Sequence, residues 1–215
     1  DVIMNLLYKE LRLAAHPNLF IFMFMGALLM IPDYPFCVVF LFGVLGPYIT
    51  FFYDRETRDT YFTALLPVQK RDAVKGKCML ICFAQLGQLL ISVPYAVLRQ
   101  AIYPDGNSVG IDANVAYYGL GLIMFAVFDF IFLIVFYKTA YKIGRALILA
   151  LIPFSAIMFL TELAVHTPYL SWLDGTSPAN LANQLPILAS GAFLYALALI
   201  LAYRVAGKRF LSVDL

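Results

Sequence analysis

Long apolar runs separated by short polar stretches set the rhythm of this chain, and their lengths predict its elements. Pro35–Tyr53, Lys77–Leu98, Val115–Phe136, Gly144–Val165 and Leu185–Ala206 each approach the ~20 apolar helical residues that a hydrocarbon core of about 30 Å requires. Asn18–Ile31 is shorter and turns through Ile31-Pro-Asp-Tyr-Pro35 into the next run. It reads as a first span whose helix begins before Pro17, in preference to half of a re-entrant hairpin. Asp1–Ala15 is too polar to span. Ile3, Leu7, Leu11 and Ala14 share one helical face and Asn5, Lys9 and Arg12 lie opposite, so this segment is expected in the interface plane. Glu10 falls on its apolar side, where it must either meet a partner charge or snorkel. Gly46-Pro47 and Pro153 are expected to break the second and fifth spans. The expectation is an all-α integral membrane protein. It has a single transmembrane domain over 1–215, with six transmembrane helices and an in-plane helix at 1–15.

Composition strengthens this class. The hydrophobic fraction is 63% and mean hydropathy +0.85, against roughly 45–50% apolar residues in soluble domains. A net charge of +2 gives no reason to expect nucleic acid. Cys37, Cys78 and Cys82 form no even disulfide framework and read as reduced packing residues. No cleavable signal peptide is expected, because the N-terminus is amphipathic rather than basic and then apolar.

Charge placement supplies orientation. With six spans, one side collects Lys9, Arg12, Arg55, Arg58, Lys70, Arg71, Lys75, Lys77, Lys138, Lys142, Arg145, Arg204, Lys208 and Arg209, and the other only Arg99. Basic loops stay cytoplasmic, so both termini are expected inside a plasma-membrane protein. The outer segment 167–184, with Pro168, Tyr169, Trp172 and Pro178, fits an interface belt.

One inner loop stands apart. Ten of the twenty-four residues from Asp54 to Lys77 are charged. Asp54 reads as the cap of a short helix that Pro67 ends. Tyr61, Phe62, Leu65 and Leu66 cover an arc of about 140° at 100° per residue, interrupted by Arg58, with Thr60, Thr63 and Ala64 opposite. Topological anchoring and binding to anionic headgroups would explain the basic residues alone. They do not explain a short helix with an apolar and a small face.

Leu7-Tyr-Lys-Glu-Leu11 in the in-plane helix, Glu56 with Thr57 or Thr60, Leu66-Pro67-Val68, Lys70-Arg71 and Lys77 together resemble the membrane subunits of type-2 ABC exporters. Gln69 stands where Ser is usual, and the Gly that often precedes the Thr is missing. The resemblance implies that 54–67 is a coupling helix docking on a cytoplasmic ATPase through Glu56, Thr57, Arg58, Thr60, Tyr61, Phe62, Leu65, Leu66 and Pro67. It further implies a second permease subunit, and ATP and Mg on the partner rather than here. No phosphate cradle precedes Gly76-Lys77, since Arg71 occupies the position of its first glycine.

Inside the spans, Asp129 is the sharpest singularity and should face protein or water rather than lipid. It reads either as a lining of the substrate path or as a neutral carboxyl that orders packing, with Gln85 and Gln88 as candidate partners. Glu162 and His166, one turn apart, are too few for zinc, and two histidines in all argue against a membrane protease, so a non-catalytic chain is expected. The aromatic, leucine- and methionine-rich spans suit an amphipathic or hydrophobic cargo, with peptides favoured. The alternative is a stand-alone secondary carrier or membrane-embedded binding protein, against which no internal repeat is found.

Overall fold

The computed structural model describes residues 2–59, 63 and 69–213, with side chains from residue 5 onward. Helices α1 (Val2–Lys9), α2 (Pro17–Met23), α3 (Val38–Glu56), α4 (Lys70–Ile102), α5 (Val115–Phe136), α6 (Ile143–Ala164) and α7 (Pro178–Leu211) make up its regular structure, and no strand occurs among the described residues. Five of them, α3 to α7, are long and apolar enough to cross a membrane. At 33 and 34 residues, α4 and α7 are each roughly 50 Å long at 1.5 Å per residue, so both outreach a hydrocarbon core of about 30 Å.

The N-terminal region differs from the sequence expectation in three ways. First, α1 continues as a π-turn over Glu10–Ala14, and the buried face is not the expected one. Leu6 and Glu10 are buried, and Lys9, expected on the polar face, is half-buried. Second, α2 starts at Pro17 rather than before it, with His16 as its cap. Proline fits the first turn of a helix, where its missing N–H has no partner to lose. Third, α2 tightens into a 3-10 helix over Phe24–Met30. A 3-10 turn rises about 2.0 Å per residue, so these fourteen residues reach roughly 25 Å rather than 21 Å. The stretches 5–14 and 17–30 meet at 101° and together would form a sixth, bent span.

The expected breaks at Gly46-Pro47 and Pro153 do not occur, because α3 and α6 run through them as single helices. Thr50 Oγ1 donates to the Gly46 carbonyl at 3.3 Å and accepts from the His16 backbone N–H at 3.3 Å, fastening the bend before α2 onto α3.

The core centres on α5. Lipid offers no hydrophobic drive between helices, so close packing and polar contacts hold the bundle. Gly119 of α5 faces Gly191 of α7 so closely that a Cβ on Gly191 would lie 2.2 Å from the Gly119 carbonyl oxygen. On the other face, Phe51 of α3 meets Phe132 and Phe136 edge-on at 5.3 and 5.1 Å, and Phe40 meets Phe125 at 5.6 Å. Each such pair contributes about 0.5–1.5 kcal/mol beyond its area. Against α4, Gly26 of the 3-10 segment touches Ser92, leaving no room for a side chain. Cys37 and Cys78 are buried among these contacts and Cys82 is half-buried, all as free thiols.

Candidate functional site

Three polar centres interrupt this apolar packing. The first lies at the basic end of the bundle. Lys77, on the first turns of α4, is 5% exposed. Its ammonium sits 2.5 Å from Glu10 Oε2, in direct contact with Asp54, and 3.6 Å from Asp59. Lys9 closes the group, donating to Asp59 at 2.7 Å and Thr63 at 2.8 Å and pairing with Glu10 at 3.1 Å. Gly76 makes room for the approach, since a Cβ there would lie 3.3 Å from Glu10 Cγ. Glu10 therefore meets a partner charge rather than snorkelling. Asp54 is not the cap of a new helix. It belongs to the last turn of α3 and is 3% exposed, because a carboxylate can remain there only against the Lys77 charge. The cluster joins α1, the end of α3, Asp59, Thr63 and the start of α4.

Of the expected coupling residues, Glu56 ends α3 and pairs with Arg55 at 2.5 Å, Thr57 caps the helix, and Arg58 turns the chain with φ of 56°. All three are exposed. Thr60, Tyr61, Phe62, Leu65, Leu66 and Pro67 lie outside the described residues. Beyond them α4 opens at Lys70, where the Asp72 carboxylate accepts from the Gln69 N–H at 3.3 Å. The residue that stands in place of the usual Ser thus begins a helix seven residues before the apolar run.

The second centre is mid-bundle. Gln85 Nε2 donates to Asp129 Oδ1 at 3.0 Å, and Gln85 Oε1 accepts from the Tyr195 hydroxyl at 2.8 Å. The three side chains tie α4, α5 and α7, and all are buried. Asp129 Oδ2 has no hydrogen-bond partner and Asp129 forms no ion pair among the described residues. Gln88 does not join them. Its amide donates to the carbonyls of Phe22 at 3.2 Å and Val39 at 2.9 Å, stitching α4 to α2 and α3. Two apolar grooves flank this centre. One of about 250 Å³ between α5 and α7 is lined by Ile123, Phe130, Leu194 and Leu201. The other, of about 370 Å³, lies beside α4 and is lined by Leu86, Leu90, Val93 and Leu188.

The third centre caps the opposite end. Arg99, the one Lys or Arg there, is buried and donates to the carbonyls of Leu29 and Ile31 at 3.2 and 3.3 Å, with its guanidinium 4.5 Å from the Phe36 ring. Glu162 accepts from the backbone N–H groups of Cys37 at 3.1 Å and Ile111 at 3.0 Å, and His166 Nε2 lies 3.0 Å from the Val109 carbonyl. Gln184 binds the carbonyls of Trp172, Leu173 and Gly175 and accepts from the Ala116 N–H. The Asp112 N–H donates to Asp174 at 2.6 Å. Burial, with help from Asp174 and against the pull of Arg99, pushes the Asp112 carboxyl up to about 6, and burial likewise raises Asp174.

Sequence reasoning passed over several of these residues. In the sequence Lys77 stands as a basic loop residue and as the Lys of the family motif, with no buried role. Its signal was Glu10, an acid on an apolar face that needed a base. Tyr195, Gln184 and Asn114, whose amide donates to the Leu173 carbonyl at 2.7 Å, carry no pattern, since their roles depend on helices distant in sequence.

With this geometry in hand, comparison places the chain among known proteins. The model of a family described as ABC-2 family transporter protein matches residues 5–206. No curated protein and no solved structure matches the chain.

Proposed function

Because the chain belongs to the ABC-2 transporter family, whose membrane subunits normally work with a cytoplasmic ATP-binding subunit, we propose that it is the permease half of an ATP-driven exporter. In this reading two such subunits, identical or paired with a relative, are driven by two ATPases that bind ATP and Mg. Both termini and the 54–67 segment face the cytoplasm, following the basic bias of that end. The observation that carries the proposal is the buried cluster of Glu10, Lys77 and Asp54, with Lys9 holding Asp59 and Thr63. Such a cluster makes the loop, the in-plane helix and two spans move as one body. A push on the loop then reaches α3 and α4 without being lost in a hinge.

The ATPase docks on Glu56, Thr57 and Arg58, which are exposed at the head of this body, and on Thr60, Tyr61, Phe62, Leu65, Leu66 and Pro67 beyond them. Cargo is amphipathic or hydrophobic, with peptides favoured, because the grooves beside the bundle are apolar. Gln85 and Asp129 meet cargo only when α4 parts from α7, a step that breaks the Tyr195–Gln85 bond. Gln88 holds the first hairpin against α4 during that step.

Detergent extraction from the native host tests the assembly and should bring down an ATPase carrying a phosphate-binding loop. Replacing Leu65 and Leu66 by Asp should abolish transport and loosen that ATPase while the subunit still inserts, since two new carboxylates in a docking groove are left unpaired. Transport by the isolated single chain, or unchanged transport by the double variant, would overturn the coupling role.

A further inference from the structure

A second basic feature stands apart from the ion-paired cluster. Where α5 ends and α6 begins, a cavity of about 350 Å³ is lined by Lys138, Lys142, Arg145 and Arg209, with Thr139 between them and Val135 and Leu149 as its apolar walls. None of the four bases forms a salt bridge among the described residues. Arg209 is anchored towards the cavity by donating to the Ile134 carbonyl at 2.7 Å. The turn that gathers the lysines is held in shape by Ala140 at φ 61° and by the Lys142 N–H donating to Thr139 Oγ1 at 3.2 Å. The N-terminus of α6 opens here without a side-chain cap, and beside it Gly144 has nothing within 4 Å of where a Cβ would stand. Four cations with no ionic partner among the described residues repel one another around one hollow unless an anion sits between them, and the positive end of the helix dipole favours the same charge.

We propose that this cavity binds the phosphate headgroup of an anionic phospholipid. The lower wall decides for a lipid over a free phosphate. From Arg145, one helical face descends through Leu149 to Ile152, both exposed along with the neighbouring Ile148. An acyl chain hung from the cavity would lie along this track. Basic pockets between spans that combine a polar mouth with an apolar flank suit such headgroups. The lipid neutralises the α5–α6 turn and wedges α6 against the end of α7, a role separate from ATPase docking.

The test uses the full chain in detergent, probed by native mass spectrometry and by titration with short-chain phosphatidylglycerol, phosphatidylcholine and inorganic phosphate. Each base that faces the bound headgroup contributes about fivefold, so Lys138→Gln, Lys142→Gln and Arg145→Gln together should weaken phosphatidylglycerol binding on the order of a hundredfold. A control triple variant of the neighbouring basic surface, Arg71→Gln, Arg204→Gln and Lys208→Gln, removes the same charge and should change it by less than about threefold. All six side chains are at least partly solvent-exposed, and circular dichroism with size exclusion verifies that both variants fold. Equal loss in the two variants would mean diffuse surface attraction and overturn the site. Phosphatidylcholine binding as tightly as phosphatidylglycerol would do the same. Competition by millimolar inorganic phosphate would reassign the cavity to a soluble anion. Retention of phosphatidylglycerol only when an ATPase is absent would mark it as an acidic partner's dock.

Discussion

Replacing Lys77 by Met should be the most damaging single change at the basic end of the bundle, and its size follows from the cluster's charges. Two cations, Lys9 and Lys77, face three carboxylates, Glu10, Asp54 and Asp59. Glu10 and Asp54 are 1% and 3% exposed, so neither can turn to water. Without Lys77, Asp54 loses its only ionic partner among the described residues, and Glu10 keeps only Lys9. Breaking a buried pair from one side costs about 3–5 kcal/mol, mostly from the charge left behind. Neutralising the three most buried charged members, which leaves the Lys9–Asp59 pair in place, should therefore repair most of the loss. Glu10→Gln, Asp54→Asn and Lys77→Met together are expected to fall within about 1–2 kcal/mol of the parent, because hydrogen-bonding amides replace stranded carboxylates. The assay is unfolding in mixed micelles with increasing SDS, followed by helicity, with Lys208→Met as an exposed control. The reasoning fails if Lys77→Met is no less stable than that control, or if the triple variant is no better than Lys77→Met alone. With a partner ATPase present, the triple variant should still fold but transport less per ATP hydrolysed, since the loop is no longer locked to α4.

Gly191→Ala should cost about 1–3 kcal/mol in the same unfolding assay, because its Cβ would meet the Gly119 carbonyl at 2.2 Å and rigid backbones must separate; Gly144→Ala, open on all sides, should not. At the cap opposite the basic end, Asp112 is raised from 3.8 to about 6, so the folded state holds a proton that the unfolded chain releases, and this contribution is complete below about pH 3.8 and lost as pH rises through 6. Asp112→Asn should therefore gain stability relative to the parent as pH climbs from 4 to 7, and a constant difference across that range would exclude the assignment. Asp129→Asn keeps an oxygen for Gln85, so expression should be unchanged; weaker export of cationic cargo, read as transport in vesicles, would support a role in the path, and unchanged export a packing role. Single cysteines at 106 or 174 should be labelled from outside and those at 59 or 142 only after permeabilisation; outside labelling at 142 would invert the orientation.

What the sequence determined alone was whatever depends on a segment's own solvent. Each span must satisfy its backbone hydrogen bonds internally, so length and apolarity are enough to locate α3 to α7 before any contact is known. The family resemblance lay in the same local register, in the motifs around Leu7–Leu11 and Leu66–Pro67. Tertiary structure decided how the polar residues were spent. Asp54 looked like a helix cap because caps are local; it became the last turn of α3 because Lys77, twenty-three residues on, supplies a charge that no local pattern encodes. Gln85 and Gln88 look alike in sequence, one turn apart on α4, yet one binds Asp129 and the other the carbonyls of Phe22 and Val39. Hydropathy marks where the spans lie, while α4 and α7 run past their apolar stretches at both ends. The partners across them were set by which helix faces approach closely enough to touch, as Gly119 and Gly191 allow α5 and α7 to do, and that approach is a property of the packed bundle.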